Sequence, residues 1–152
     1  MFDSFYNTMI AGGSWRVILN GLGVTLLIAV CAIIIGSVLG CVFALFKISK
    51  SIVLQKIADV YTTIIRGVPM ATQLMIFYFV IFTPMGMNNA VLVAVISFGI
   101  NSGAYCTEIF RAGIQGVDAG QMEAARSLGL NWWQSLVNIV LPQAVRTALP
   151  TY

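Results

Sequence analysis

Two long stretches of the chain, residues 17–46 and 67–107, contain no Asp, Glu, Lys or Arg. Because a helix that crosses a bilayer needs about 20 apolar residues, the first stretch predicts one span and the second has room for two. We place these spans at about 17–46, 67–84 and 89–107. The pattern therefore predicts an all-α fold, a polytopic transmembrane helical bundle with about three spans.

The first span is longer than one crossing requires. At 1.5 Å per residue it would reach about 45 Å, whereas the hydrocarbon core is about 30 Å thick, so we expect it to tilt or to project beyond the bilayer. Within it, Gly36 and Gly40 lie four residues apart on one face, and small residues at this spacing let helices approach closely. A subunit contact and a chance pairing in a glycine-rich helix both remain open.

The start of the second span is interrupted by Pro69, which lacks a backbone donor and predicts a kink or a helix start. Arg66 then lies near the membrane interface, where its long side chain could reach lipid headgroups. We expect Arg66 to anchor the helix at the lipid headgroups rather than to contact solute.

Polar side chains in the second and third spans could face a path for solute or bond to neighbouring helices, and both interpretations stay open. The candidates for a translocation path are Gln73, Asn101, Ser102 and Tyr105. Just beyond them, Glu108 and Arg111 are three positions apart and could pair on a helix surface.

After the third span the chain becomes mixed in polarity, which predicts that residues 118–142 leave the bilayer. Asp118 and Gln121 have the spacing of a capping box, so a short helix should begin there. The helix should end at Gly129, because glycine readily adopts the left-handed conformation that closes helices.

A second capping-box spacing, Asn131 with Gln134, predicts another short helix that begins at Trp132 and finishes before Pro142. This helix should be amphipathic, and it is too short to span a bilayer. Its predicted apolar side contains Trp132, Trp133, Leu136, Ile139 and Val140, and its polar side contains Gln134, Ser135 and Asn138. An interfacial helix and a docking element for a soluble partner both fit this pattern.

Composition agrees with a membrane protein, since 59% of residues are hydrophobic and only 9% are charged. The sequence contains neither a histidine nor a Gly-Lys pair, which removes the commonest general base and zinc ligand and excludes a Walker A loop. Cys31, Cys41 and Cys106 lack paired spacing and are expected to be packing residues. We therefore expect no catalytic residues, no metal and no cofactor on this chain.

The basic residues flank the predicted spans unevenly, and the turn at 83–89 is uncharged. The positive-inside tendency therefore places the first loop and the C-terminal segment in the cytoplasm and residues 1–15 outside. Residues 1–15 carry Asp3 and no basic residue, so they do not resemble a signal peptide. The basic residues concerned are Lys47, Lys50, Lys56, Arg111, Arg126 and Arg146. This asymmetry accounts for the net charge of +3 without nucleic-acid binding.

One spaced set in the cytoplasmic segment resembles the EAA loop of the membrane subunits of binding-protein-dependent ABC importers. It consists of Glu123-Ala124-Ala125, Gly129 and Ile139-x-Leu141-Pro142. Upstream residues resemble the polar amino acid branch of that family: Arg66-Gly67-x-Pro69 with Gln73, and Ser102-Gly103-Ala104-Tyr105-x-x-Glu108-x-x-Arg111. The resemblance covers residues 16–152, which it identifies as a type-1 importer membrane domain.

The resemblance implies that 118–142 is a coupling segment that docks on a cytoplasmic ABC ATPase, which would hold ATP and magnesium. Carried onto this chain, the contact residues are Glu123, Ala124, Ala125, Leu128 and Gly129, with Leu141 and Pro142 leading back to the membrane. Singly, each residue also fits an ordinary capped helix pair. The other implied partners are an extracytoplasmic solute-binding protein, a second permease subunit in a homodimer or heterodimer, membrane lipid and a polar amino acid. The implied location is the bacterial cytoplasmic membrane.

Two functions follow as expectations. In the first, the chain is a permease subunit that forms the amino acid translocation path and couples it to the separate ATPase. In the alternative, it is a transport-inactive, C-terminally truncated fragment that docks an ATPase as a binding or regulatory module, because family members carry further spans after the Leu-Pro pair. A membrane enzyme has little support without a recognisable set of nucleophile and base.

Overall fold

The computed structural model describes residues 14–151, and every regular element in that range is helical. The predicted all-α fold is therefore confirmed for these residues, whereas most of the predicted extracytoplasmic segment 1–15 lies outside them. The helices are α1 (Ser14–Ile48), α2 (Ile52–Gly67), α3 (Met70–Met75) with a π-helical continuation (Ile76–Phe82), α4 (Ala90–Gln115), α5 (Ala119–Ser127), α6 (Trp132–Ser135) with a π-helical continuation (Leu136–Val140), α7 (Leu141–Ala148) and a terminal 3-10 turn (Leu149–Thr151).

Within residues 14–151, two helices are long and apolar enough to cross a membrane: α1 with 35 residues and α4 with 26. A third crossing results if α2 and the α3 segment are counted as one bent span. Both long helices exceed the predicted spans, and α4 continues past 107 as far as Gln115. The extension carries Glu108 and Arg111, whose side chains form an ion pair. Pairing reduces the cost of placing these charges near the end of an apolar helix.

The core is the contact between α1 and α4, in which glycines let the two backbones approach closely. Gly36 lies against Ser102 and Gly103, and Gly40 lies against Cys106. Higher numbers in α1 face higher numbers in α4, so the two helices pack in parallel. Residues 49–89 must therefore lead the chain back to the side on which α1 began.

The returning segment differs from the prediction. The helix that follows Pro69 begins at Met70, as the proline predicts, but a further helix, α2, precedes it where the lysines suggested a loop. The helical residues Met70–Phe82 lie within the predicted span 67–84, and the helix Ile52–Gly67 precedes them across a bend of 104°. The charges of α2 lie on one side of an amphipathic helix, and they interrupt the uniformly apolar pattern that predicts a span.

The cytoplasmic segment begins with a cap that differs from the predicted capping box. The Asp118 carboxylate accepts a hydrogen bond from the Gly120 backbone N–H at 2.7 Å. The Gln121 side chain accepts a hydrogen bond from the Gln143 amide instead of reaching back to Asp118. The acidic side chain still caps the N-terminus of α5.

The next corner forms as predicted. Gly129 has a φ of 87°, the left-handed conformation that closes a helix, and the Leu130 N–H reaches back to the Ala125 carbonyl. Asn131 and Gln134 then form the reciprocal capping box, with both hydrogen bonds at 2.9 Å. Local side-chain chemistry therefore fixes the direction in which the chain leaves α5.

The prediction that this helix ends before Pro142 is wrong. The backbone stays helical through Val140, Leu141 and Pro142, and α7 ends only at Ala148. In the π-helical stretch the Leu141 N–H bonds to Leu136, five residues back, so the usual ladder is already interrupted where proline offers no donor. Pro142 then sits at the start of α7, where its fixed φ is compatible with a helix.

The predicted faces of this helix are also partly wrong. Ser135, assigned to the polar side, is fully buried and donates its hydroxyl to the Asn131 carbonyl. Trp133, assigned to the apolar side, is 59% exposed, while Leu136 and Val140 are buried. Trp133 nevertheless borders an apolar groove that Leu136 also lines, so its surroundings are apolar.

The close glycine contact can be tested by comparing Gly40→Ala with Gly21→Ala, two substitutions in the same helix. A Cβ at Gly40 would collide with Cys106, whereas a Cβ at Gly21 would meet nothing within 4 Å. The collision should cost about 1–3 kcal/mol of the free energy of unfolding, and the higher helix propensity of alanine should offset about 1 kcal/mol of that cost. We therefore expect Gly40→Ala to be less stable than Gly21→Ala, which gains the propensity without the collision. Thermal unfolding of the purified protein in detergent measures the difference, and equal melting temperatures for the two variants would contradict the close packing.

Candidate coupling and translocation sites

The surface of α5 exposes a large apolar side chain that no other part of the described chain covers. Leu128 is 83% exposed, and Glu123, Ala124 and Gly129 are exposed beside it. Ala125 points the other way and is only 3% exposed. The five residues to which the resemblance assigns the ATPase contact therefore divide into four that face outward and one that anchors the helix.

The helix α5 is held firmly from beneath. Its inner side packs on α6 and the π-helical stretch Leu136–Val140, with Ala125 in the contact. A side-chain hydrogen bond of 3.3 Å joins Gln143 on α7 to Gln121 on α5. Together with the turn at Gly129, these contacts join α5 to the helix that follows it.

Leu141 and Pro142 do not lie on the outward surface of α5. They are part of the continuous helix from α6 to α7, and Leu141 lines an apolar groove of about 510 Å³ between that helix, α1 and α4. The helix passes through both residues without a turn.

Two of the four candidate path residues, Gln73 and Asn101, are joined where α3 meets α4. Gln73 is 4% exposed and accepts a hydrogen bond from the Asn101 amide at 3.3 Å. Tyr105 follows Asn101 by four residues on α4 and is 48% exposed. Ser102 is separate from this group, because it faces α1 at Gly36 and its hydroxyl lies 3.8 Å from the Cys106 thiol.

A cluster of charged side chains joins α1, α2 and α4, and Glu108 is at its centre. The predicted pair with Arg111 is confirmed, with 2.8 Å between Nη2 and Oε2. The other Glu108 oxygen accepts a hydrogen bond from Lys47 on α1, which also pairs with Asp59 on α2 at 2.9 Å. One carboxylate thus fastens three helices at their common end.

The contact between Lys47 and Glu108 could not be read from the sequence, since 61 positions separate the two residues. Arg66 also differs from the expectation of a headgroup anchor. Its guanidinium lies over the Tyr105 ring, 5.2 Å from the centroid, and 3.8 Å from the Glu108 carboxylate. A cation–π contact and a long ion pair therefore direct this side chain toward α4.

The residues described by the structure offer no grouping of three metal-ligating side chains. Cys31, Cys41 and Cys106 are free thiols, and Cys106 is buried in the α1–α4 contact. The site consists of an outward-facing helix on a firm base and of a polar group beside a bent span.

Residues 32–152 match the family described as the binding-protein-dependent transport system inner membrane component. The chain belongs to this family. The matched range contains α4, the charge cluster around Glu108 and the whole of α5, so both features described above lie in family sequence.

Three relatives show what the chain is similar to. It is 41% identical over 98% of its length to the probable amino-acid ABC transporter permease protein YckA of Bacillus subtilis. It is 43% identical over 88% of its length both to the putative glutamine transport system permease protein GlnP of Rickettsia prowazekii and to the arginine transport system permease protein ArtQ of Bacillus subtilis. The chain spans 66%, 62% and 61% of these relatives, which is less than two thirds of each.

A solved structure supports the same fold. The crystal structure of an amino acid ABC transporter with histidines superposes with a TM-score of 0.81 at 38% identity. The match covers 93% of this chain and 66% of that chain. The match therefore supports the helical architecture described above.

The charge cluster can be tested by comparing Glu108→Ala with Asp59→Ala. Glu108 is 20% exposed at its side chain and its loss leaves Lys47 and Arg111 without their shared partner, whereas Asp59 is 62% exposed and its loss leaves Lys47 paired with Glu108. We expect Glu108→Ala to cost on the order of 2 kcal/mol and Asp59→Ala about 0–1 kcal/mol. Unfolding in detergent measures both, and equal losses would show that Glu108 does not centre the cluster.

Proposed function

We propose that this chain is a permease subunit of an ATP-driven importer of polar amino acids, and that α5 couples it to a separate ATPase subunit. The observation that carries the proposal is the outward side of α5, where Leu128 is 83% exposed in a segment with EAA spacing. A large exposed leucine on a short, firmly anchored helix is the geometry of a docking element. The family assignment supports a partner with ATPase activity, which would hold ATP and magnesium.

The proposed coupling is mechanical. Because α5 is tied to α6 and the π-helical stretch, a displacement of α5 by the ATPase would shift the helix that leads into the membrane. The ATPase can drive the membrane helices from one state to another only if it binds those two states with different affinity. The turn at Gly129 maintains the angle through which the displacement is transmitted.

The proposed substrate class rests on the names of the relatives. The names of the relatives mention an amino acid, glutamine and arginine, which are substrates of those proteins. For this chain we propose a polar amino acid, carried along a path bordered by Tyr105 and by the outer surface of α4. Their partial exposure beside α3 makes them available to a solute.

The orientation and the remaining partners complete the proposal. Lys47 and Arg111 lie together at one end of the bundle, and the positive-inside tendency places that end and α5 in the cytoplasm. Because α1 and α4 pack in parallel, both helices would then begin on the outer side of the inner membrane. A solute-binding protein outside and a second permease subunit would complete the assembly, and the charge pattern calls for no nucleic acid.

The alternative of a transport-inactive docking module has no support from the relatives. The relatives carry the names of permease proteins, and none of those names describes such a module. These names also favour a transport subunit over an enzyme.

The docking role can be tested by comparing Leu128→Ser with Leu149→Ser. Both leucines are exposed, at 83% and 64%, but only Leu128 lies at the end of α5 beside Glu123 and Ala124. If Leu128 is buried by the ATPase, its replacement should weaken binding about tenfold to a hundredfold, the range of an apolar interface anchor. Co-purification with the ATPase measures the loss, and Leu149→Ser should retain it.

ATP-dependent uptake in vesicles gives the second readout for the same pair. Leu128→Ser should insert into the membrane normally and lose uptake in proportion to its weakened ATPase binding. Normal uptake by Leu128→Ser, or the same loss of binding in both variants, would show that α5 is not the coupling element.

A further inference from the structure

The bend between α2 and α3 creates a specific problem for the backbone. The helix α2 ends at Gly67, Pro69 has no N–H to donate, and α3 leaves at 104°. Carbonyl groups in the last turn of a helix lose their usual partners, and in apolar surroundings each unpaired group is costly. Something must satisfy the carbonyls at this corner.

Gln73 supplies the missing donors. It is 4% exposed, and its side-chain nitrogen donates to the Ile65 carbonyl and to the Val68 carbonyl, the latter at 2.7 Å. Because both partners are carbonyl oxygens, the group that faces them must be the NH2 of the amide, which has two hydrogens to give. One side chain on α3 therefore satisfies two carbonyls at the end of α2.

The same amide has a third bond, which reaches a different helix. Its oxygen accepts from Asn101 on α4 at 3.3 Å. Both donors of Gln73 and its acceptor are thus engaged within the protein, which leaves the buried amide no donor for a solute. These bonds argue against the expectation that Gln73 lines a translocation path.

We infer that Gln73 is a positioning residue with two effects. It holds α2 and α3 at their angle, and through Asn101 it connects the bend to α4, so that a movement of α4 also moves the bend. Since α4 leads through residues 116–118 directly into α5, the bond from Asn101 connects the bend to the helix on which the ATPase is proposed to act. The geometric part of this inference stands by itself, whereas its part in transport rests on the proposed function.

Two substitutions separate the two roles of the amide. Gln73→Leu has a similar size but removes all three bonds, whereas Asn101→Ala removes only the bond to α4 and leaves Gln73 on the carbonyls of α2. Thr72→Val is the control, because Thr72 is the exposed neighbour on the same helix.

Spin labels at exposed positions report the angle and the connection separately. A label pair at Thr63 and Val80 spans the bend, and a pair at Val80 and Phe98 spans the contact with α4. Distances are measured by double electron–electron resonance on the full chain, with the native cysteines replaced and labelled protein diluted into unlabelled protein.

Gln73→Leu should broaden both distance distributions. Asn101→Ala should broaden only the distribution between Val80 and Phe98, and Thr72→Val should change neither. An unchanged distribution between Thr63 and Val80 in Gln73→Leu would overturn the positioning of the bend. If Gln73→Leu fails to insert, Asn101→Ala decides: an unchanged distribution between Val80 and Phe98 overturns the connection to α4, and a broadened one supports it.

Uptake kinetics distinguish positioning from solute contact. A positioning role predicts that Asn101→Ala lowers the maximal uptake rate roughly tenfold, the effect of losing one hydrogen bond in the rate-limiting movement, with KM unchanged. A raised KM at an unchanged maximal rate would instead make Asn101 a contact for solute and overturn the inference. If the unmodified assembly takes up no amino acid, the proposed function fails, while the distance measurements still decide the geometry.

Discussion

The close parallel contact between α1 and α4 is the constraint on which the rest of the structure depends. Gly36 and Gly40 bring the two backbones so near that Ser102, Gly103 and Cys106 fill the space a side chain would occupy. Packing of this kind holds helices together in lipid, where the hydrophobic effect gives little preference for helix over lipid contact. Because the pair is parallel, the connection between its members must return across the bundle, and the bent α2–α3 segment is that connection.

Polar groups do two different tasks around this contact. At one end of the helix bundle, Glu108 pairs with basic side chains from α1, α2 and α4 and thereby fixes these helices relative to one another. At the bend between α2 and α3, the buried Gln73 amide donates to two backbone carbonyls, and the buried side-chain polar atoms of the described residues all have partners. Both arrangements follow from the cost of an unpaired polar group in apolar surroundings.

The outward helix α5 is built on the opposite principle. Its base is packed and capped, yet Leu128 remains open to the surroundings. If a partner covers Leu128, a displacement of that partner can be transmitted through α5 to the helices on which α5 packs. This is how the fold would support the proposed coupling. The π-helical stretch before Pro142 continues the same body toward the bundle without a break.

The sequence by itself determined the features that depend on neighbours a few residues away. These are the apolar helices, the start after Pro69, the left-handed turn at Gly129 and the capping box of Asn131, together with the spacing that indicates the family. The site was predictable in part. The family spacing singled out Glu123, Ala124 and Leu128, which face outward, but it did not indicate that Ala125 is buried.

Only the tertiary structure decided which polar side chains meet. The charges in α2 suggested a loop, but the segment is helical. Local rules predict that the helix ends before Pro142, but it continues through a π-helical turn and through the proline. The partners of Lys47, Gln73 and Arg66 lie on other helices or across the bend, so no local pattern encodes them. The physical reason is that helix propensity and capping act within a few residues, whereas the pairing of buried polar groups depends on which helices the packing brings together.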